Sequence, residues 1–120
     1  TTVGVELAAN GKRGLYIPGC AAMPEWLKDR IAGADALLFD GTLWQDDEMI
    51  RMGLGRKTGH RMGHMAAGDS IAALADVSVG RRIFVHMNNS NPLTDPDSAE
   101  AAQARRQGWQ IGRDGMEITL

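Results

Sequence analysis

The sequence predicts a layered α/β domain, and three observations carry that prediction. Val3, Val5 and Leu7 alternate with Gly4 and Glu6 ahead of Asn10-Gly11, and Leu15-Tyr16-Ile17 follows, which is the pattern of a β-hairpin. Ala36-Leu37-Leu38-Phe39 and Ile83-Phe84-Val85 are short continuous apolar runs. Such runs suit strands covered on both faces. Stretches with helical spacing alternate with these strands, the order expected of α/β layering.

Taken in order, Pro18-Gly19 ends the second hairpin strand. Pro24 suits the first turn of a helix, with Trp26, Leu27, Arg30 and Ile31 at helical spacing and Gly33 as its stop. Asp46-Asp47-Glu48 places negative charge at the start of a second helix through Met49, Ile50 and Met52, and helix-dipole complementarity accounts for it. Residues 53–68 are rich in Gly, His and basic side chains and read as a long loop. Asp69 or Ser70 is placed to cap a helix through Ile71, Leu74 and Ala75. Residues 88–96 form a polar loop, and Ser98 caps an alanine-rich helix from Ala99 to Gln107, stopped by Gly108. Two short strands are expected at Trp109–Ile111 and Met116–Leu120, separated by Asp114-Gly115.

The bulk properties exclude several function classes. The 120 residues suffice for one small domain, and a formal net charge of −2 gives no field for nucleic acid or an anionic membrane. Apolar stretches of four or five residues are far short of the roughly 20 needed to span a bilayer. No signal peptide is visible, so a cytoplasmic setting is the expectation. The single Cys20 rules out an internal disulfide and a zinc ribbon. It reads as a small buried thiol. The chain opens on Thr1 and enters a strand pattern at once, which reads as a processed chain or a fragment.

The chemistry is expected where the two apolar runs end. The first delivers Asp40 and the second delivers His86. In open α/β sheets, ligand sites lie beyond the carboxyl ends of strands. A carboxylate with an imidazole suits zinc, iron or manganese. Asp40-Gly41 as a plain turn and His86 as a structural histidine are the alternatives. His64 is a third candidate, in the loop before the Asp69 helix, whereas His60 reads as a solvated loop residue. The spacings exclude a local metal motif, so the fold must assemble any shared site. The sequence Gly53-Leu54-Gly55-Arg56-Lys57-Thr58-Gly59 lacks the Gly-Lys-Thr order of a phosphate loop and follows a helix rather than a strand. Arg56 and Lys57 remain candidates for a carboxylate-rich ligand, against a solvated basic loop. Asn88-Asn89-Ser90 is better placed to hydrogen-bond a ligand than to carry a glycan.

Leu38-Phe39-Asp40-Gly41-Thr42, Gly63-His64-Met65 and Phe84-Val85-His86-Met87-Asn88-Asn89 together resemble the C-terminal half of the metallo-β-lactamase fold. Within that superfamily the detail is similar to the pyrroloquinoline quinone (PQQ) synthesis protein B family. The carriers include Tyr16-Ile17-Pro18-Gly19, the run from Ala34 to Thr42, Lys57-Thr58-Gly59, Arg61-Met62-Gly63-His64 and Val85 to Pro92. The loop after Gly63-His64 is shorter than the family's. The His/Asp-rich metal motif of the N-terminal half is absent.

The resemblance implies residues 1–120 as the C-terminal αβ half of an αββα sandwich. It implies a role in PQQ biosynthesis as an Fe(II)-dependent oxygenase hydroxylating the tyrosine ring of a glutamate–tyrosine crosslinked, peptide-derived precursor. Zinc is the alternative metal. A PQQ-binding carrier involved in its transport and a hydrolase of the same fold are the alternative functions. Asp40 and His86 are implied as metal ligands, and His64 as a catalytic group or further ligand. Lys57, Asn88 and Asn89 would contact substrate. Asp40 and His86 are therefore expected close together, in a chain that binds metal poorly alone. An uncovered sheet face is expected to pair with an N-terminal half or a second copy.

Overall fold

The computed structural model describes residues 3–120. Five strands form one sheet in the order β1-β2-β3-β4-β5: Val5–Ala9, Lys12–Ile17, Ala36–Asp40, Arg81–Val85 and Trp109–Ile111. β1 and β2 are the expected antiparallel hairpin, with Asn10 (φ 53) and Gly11 (φ 75) making its left-handed turn. The other pairings are parallel, in a register that sets Phe39 beside Phe84 and Asp40 beside Val85. The carboxyl ends of β2, β3 and β4 therefore share one rim.

Side-chain alternation divides the sheet into two faces. Leu15, Ile17, Leu37, Phe39, Phe84 and Trp109 point to one side and form a core with Ile31, Ala67, Ile71, Leu74, Ala101 and Ala104. Those partners come from the helices α1 (Glu25–Ile31), α3 (Ala67–Ala73) and α4 (Ala99–Arg106). The rings of Phe84 and Trp109 stack at 4.0 Å. The opposite face carries Val5, Leu7, Tyr16, Leu38 and Ile83, and among the described residues α1, α3 and α4 bury their apolar side chains on the first face instead.

Several expectations are corrected. Residues 116–120 are not a strand. Asp114-Gly115 does turn the chain, with the Met116 amide donating to Arg113 O. Beyond it Met116 and Ile118 are half-buried and alternate with exposed neighbours, and Leu120 reaches Gly14. The period-2 pattern is thus used to lie across the second sheet face, without a ladder partner. On this face Ile83 is fully buried, while Leu38 is half-buried.

Trp26 has the spacing of α1 but not its buried face and is 69% exposed. Pro24 stands just outside that helix, as its N-cap. α3 starts at Ala67 without a side-chain cap, and Ser70 is buried inside it with its hydroxyl donating back to Ala66 O. The loop expected over residues 53–68 ends at residue 66, just before α3 begins, and it contains the 3₁₀ turn His60–Met62. Ser98 caps α4 as expected, accepting from the Ala101 amide.

Candidate metal centre

β3 ends on Asp40, whose side chain is fully buried. A buried carboxylate needs donors or a cation. Asp40 Oδ2 accepts from the Cys20 amide (2.9 Å), Oδ1 accepts from the Thr42 amide (3.0 Å), and His64 Nδ1 lies 2.9 Å from Oδ2. Both backbone donors arise from chain leaving the same rim, Cys20 just past β2 and Thr42 just past β3. Asp40-Gly41 is therefore a turn and an orienting device for the carboxylate at once. Gly41 is required there. A Cβ would sit 2.9 Å from Phe84 Cβ and 3.0 Å from Val85 O, and the Gly41 amide donates to that same carbonyl.

β4 ends on Val85, and His86 then takes φ 62, the left-handed region that few non-glycine residues adopt. This turns the imidazole off the strand toward the rim. His64 arrives from the long loop. Gly63 (φ 86) closes the 3₁₀ turn, and the His64 amide donates to Gly59 O at 2.8 Å. The imidazoles of His64 and His86 stack with centroids 5.6 Å apart, and the hydroxyl of Thr42 lies 3.1 and 2.9 Å from their Nδ1 atoms.

The structure thus gathers Asp40, His64 and His86, with ligand atoms all within 4.8 Å of one another. Asp40 is buried, His64 half-buried and His86 exposed, so the cluster opens to solvent on one side. The geometry suits a metal ion. One carboxylate and two imidazoles gathered beside an opening to solvent are a donor set that would hold a transition metal.

The other candidates are placed differently. Lys57 is exposed, without a side-chain hydrogen bond or ion pair among the described residues. Asn89 is exposed. Asn88 commits its amide nitrogen to Ser90 Oγ (2.6 Å) and Met49 Sδ (3.4 Å). His60 is exposed, its Nδ1 3.1 Å from Ala21 O and its amide on Asp46 Oδ1. The acidic run does more than complement a helix dipole. Glu48 is buried and accepts from the Trp44 amide and the Ser90 hydroxyl, linking α2 (Glu48–Arg51) to the loop after His86. Cys20 is buried, its thiol donates to Ala22 O, and burial pushes that thiol up from its ordinary pKa.

Sequence reasoning missed Thr42 and Asn91. Asn91 is fully enclosed, donates to Gly41 O at 2.6 Å and accepts from the Leu93 amide, tying the loop to the turn that carries Asp40. Its signal was the Asn-Pro pair, a turn starter.

This sheet and rim site define a class. Residues 1–87 match the family model for the beta-lactamase superfamily domain, and the chain belongs to that superfamily. Among curated relatives, it is 57% identical over its whole length to Coenzyme PQQ synthesis protein B from Methylorubrum extorquens. It is 48% identical over 99% of its length to the protein of that name from Xanthomonas oryzae pv. oryzae. The chain spans 41% of the length of each. The crystal structure of zinc-bound PqqB from Methylobacterium extorquens superposes with a TM-score of 0.95 at 56% identity, over 99% of this chain and 44% of that one. A diphosphatase of the PhnP family shares the fold at a TM-score of 0.60 and 15% identity, over 99% of this chain and 43% of that one.

Proposed function

We propose that this chain supplies the C-terminal, metal-holding half of a PQQ-biosynthesis protein. In this reading the full-length protein is an iron-dependent oxygenase that hydroxylates the tyrosine ring of a glutamate–tyrosine crosslinked precursor. The supporting observation is the convergence of Asp40, His64 and His86 within 4.8 Å, in a chain that aligns from end to end with Coenzyme PQQ synthesis protein B. Two imidazoles and one carboxylate with open positions are the donor set of non-haem Fe(II) oxygenases. When bound, the iron supplies the means to activate dioxygen.

The chain's own groups do the rest. Asp40 and His86 ligate. His64 ligates or moves a proton at Nδ1 against Asp40. Lys57, Asn88 and Asn89 would hold carboxylate or quinone oxygens. The remainder of the full-length protein, or a second copy, covers the helix-free sheet face and completes the metal's surroundings.

The test uses full-length protein loaded with Fe(II), the tyrosine precursor and an oxygen electrode. Dioxygen uptake coupled to hydroxylated product is expected, with Asp40→Asn and His86→Ala lowering iron affinity at least about 10-fold. Equal uptake by wild type and both variants would remove these residues from the centre.

The zinc in the Methylobacterium PqqB crystal favours a second reading in which zinc is the resident metal. Zinc has no redox chemistry. The protein would then bind PQQ as a carrier without turnover, or activate water for hydrolysis. Tight quinone binding without dioxygen consumption selects the carrier.

A further inference from the structure

We propose that Thr42 is the positioning residue of this centre, its single hydroxyl setting the orientation of both imidazoles relative to Asp40. Among the described residues, Thr42 is the one outside the cluster that hydrogen-bonds to every member of it. Its amide donates to Asp40 Oδ1 at 3.0 Å. Its hydroxyl lies 3.1 Å from His64 Nδ1 and 2.9 Å from His86 Nδ1. Its carbonyl accepts from the Asn88 amide at 3.0 Å, which fixes the chain just past His86.

Position and chemistry both suit the task. Thr42 is largely buried, and its branched Cβ restricts the rotamer that aims its hydroxyl. A hydroxyl has one proton and two lone pairs, so it can donate to one ring nitrogen and accept from another. An ionised Asp40 only accepts, which puts the Nδ1 proton on His64, directed at Oδ2 and shared with Thr42 Oγ1. The hydroxyl proton of Thr42 is then free for His86 Nδ1. His64 and His86 are made inequivalent by this arrangement, although their rings lie nearly parallel, 26° apart. A histidine ligand is held in place by the partner of its other contacts, and loss of such a partner costs about 10–100-fold in metal affinity.

Only the affinity arm of the test rests on the metal reading above. Full-length protein with ¹⁵N-labelled histidine is compared as wild type, Thr42→Val, which keeps the shape without the hydroxyl, and Thr42→Ser, which keeps the hydroxyl. In metal-free protein the ring-nitrogen shifts of His64 and His86 are read. Cobalt(II) is then titrated against a chelator and its visible spectrum recorded. Thr42→Val is expected to shift the Nδ1 resonances of both rings. It should lose about 10–100-fold in cobalt affinity and alter the spectrum, with Thr42→Ser restoring most of each. Amide resonances away from the rim report that the variant is folded, and Thr42→Ala replaces it if it is not. Wild-type ring shifts and spectrum in the hydroxyl-free variant would overturn the proposal. So would a serine variant that behaves like valine. A wild type that binds no cobalt brings down the metal reading, and the ring shifts still decide for or against Thr42.

Discussion

His86 holds a backbone conformation that costs a non-glycine residue about 1–2 kcal/mol. Strain of this kind persists where the surrounding structure over-determines it. Here the β4 ladder fixes Val85, and the Asn88 amide is tied to Thr42 O, so the two intervening residues must absorb the change of direction. Two substitutions separate the strain from the ligand. His86→Ala removes the imidazole and keeps the strain, whereas His86→Gly removes both. In metal-free protein the glycine variant is expected to be the more stable of the two by about 1 kcal/mol, read by urea denaturation. Both should lose the metal equally. A glycine variant less stable than the alanine variant would show that φ 62 is not a burden.

At the scale of elements, β1 is fastened to α1 by charge. Glu6 accepts from Arg30 at 2.8 Å and from Arg13 at 3.2 Å, and Arg13 also donates to Arg30 O and Ala32 O at the end of the helix. The Arg30 hydrogen bond, helped by Arg13, holds the Glu6 carboxyl below its ordinary pKa. A lowered carboxylate pKa stabilises the fold above the ordinary value, and that contribution is lost as pH falls through the depressed folded-state value. Arg30→Gln is expected to move the Glu6 titration, followed by carboxyl NMR, upward toward the ordinary value. It should also shrink the acid limb of the stability profile. The same elements show what the sequence made legible. Asn10-Gly11 and the two apolar runs announced themselves because turn chemistry and uninterrupted hydrophobicity are local signals. So did the residues each run delivers, Asp40 and His86. Trp26 and the 116–120 segment misled because spacing names a period and not the surface it will meet. Thr42 stayed hidden because its role depends on partners 22 and 44 residues away.

For the molecule as a whole, the sheet is finished on one side and partly finished on the other. The C-terminal segment shields Ile83, but Val5, Leu7 and Tyr16 remain 46%, 66% and 42% exposed along an edge strand and its neighbour. Exposed apolar edges invite pairing with another chain. Residues 1–120 produced alone are therefore expected to self-associate in analytical ultracentrifugation, and Leu7→Lys to shift the population toward monomer. A concentration-independent monomer for the unaltered piece would oppose this. The parallel β3–β4 seam has a consequence in time. Asp40 and His64 leave the ribosome before His86, and the rim closes only when β4 has docked beside β3. Closing so long a stretch of chain is a slow, entropy-limited event. In the proposed reading, metal capture by all three residues is thereby deferred until β4 has docked, so a chain that lacks β4 or pairs it out of register presents at most two of the three donors.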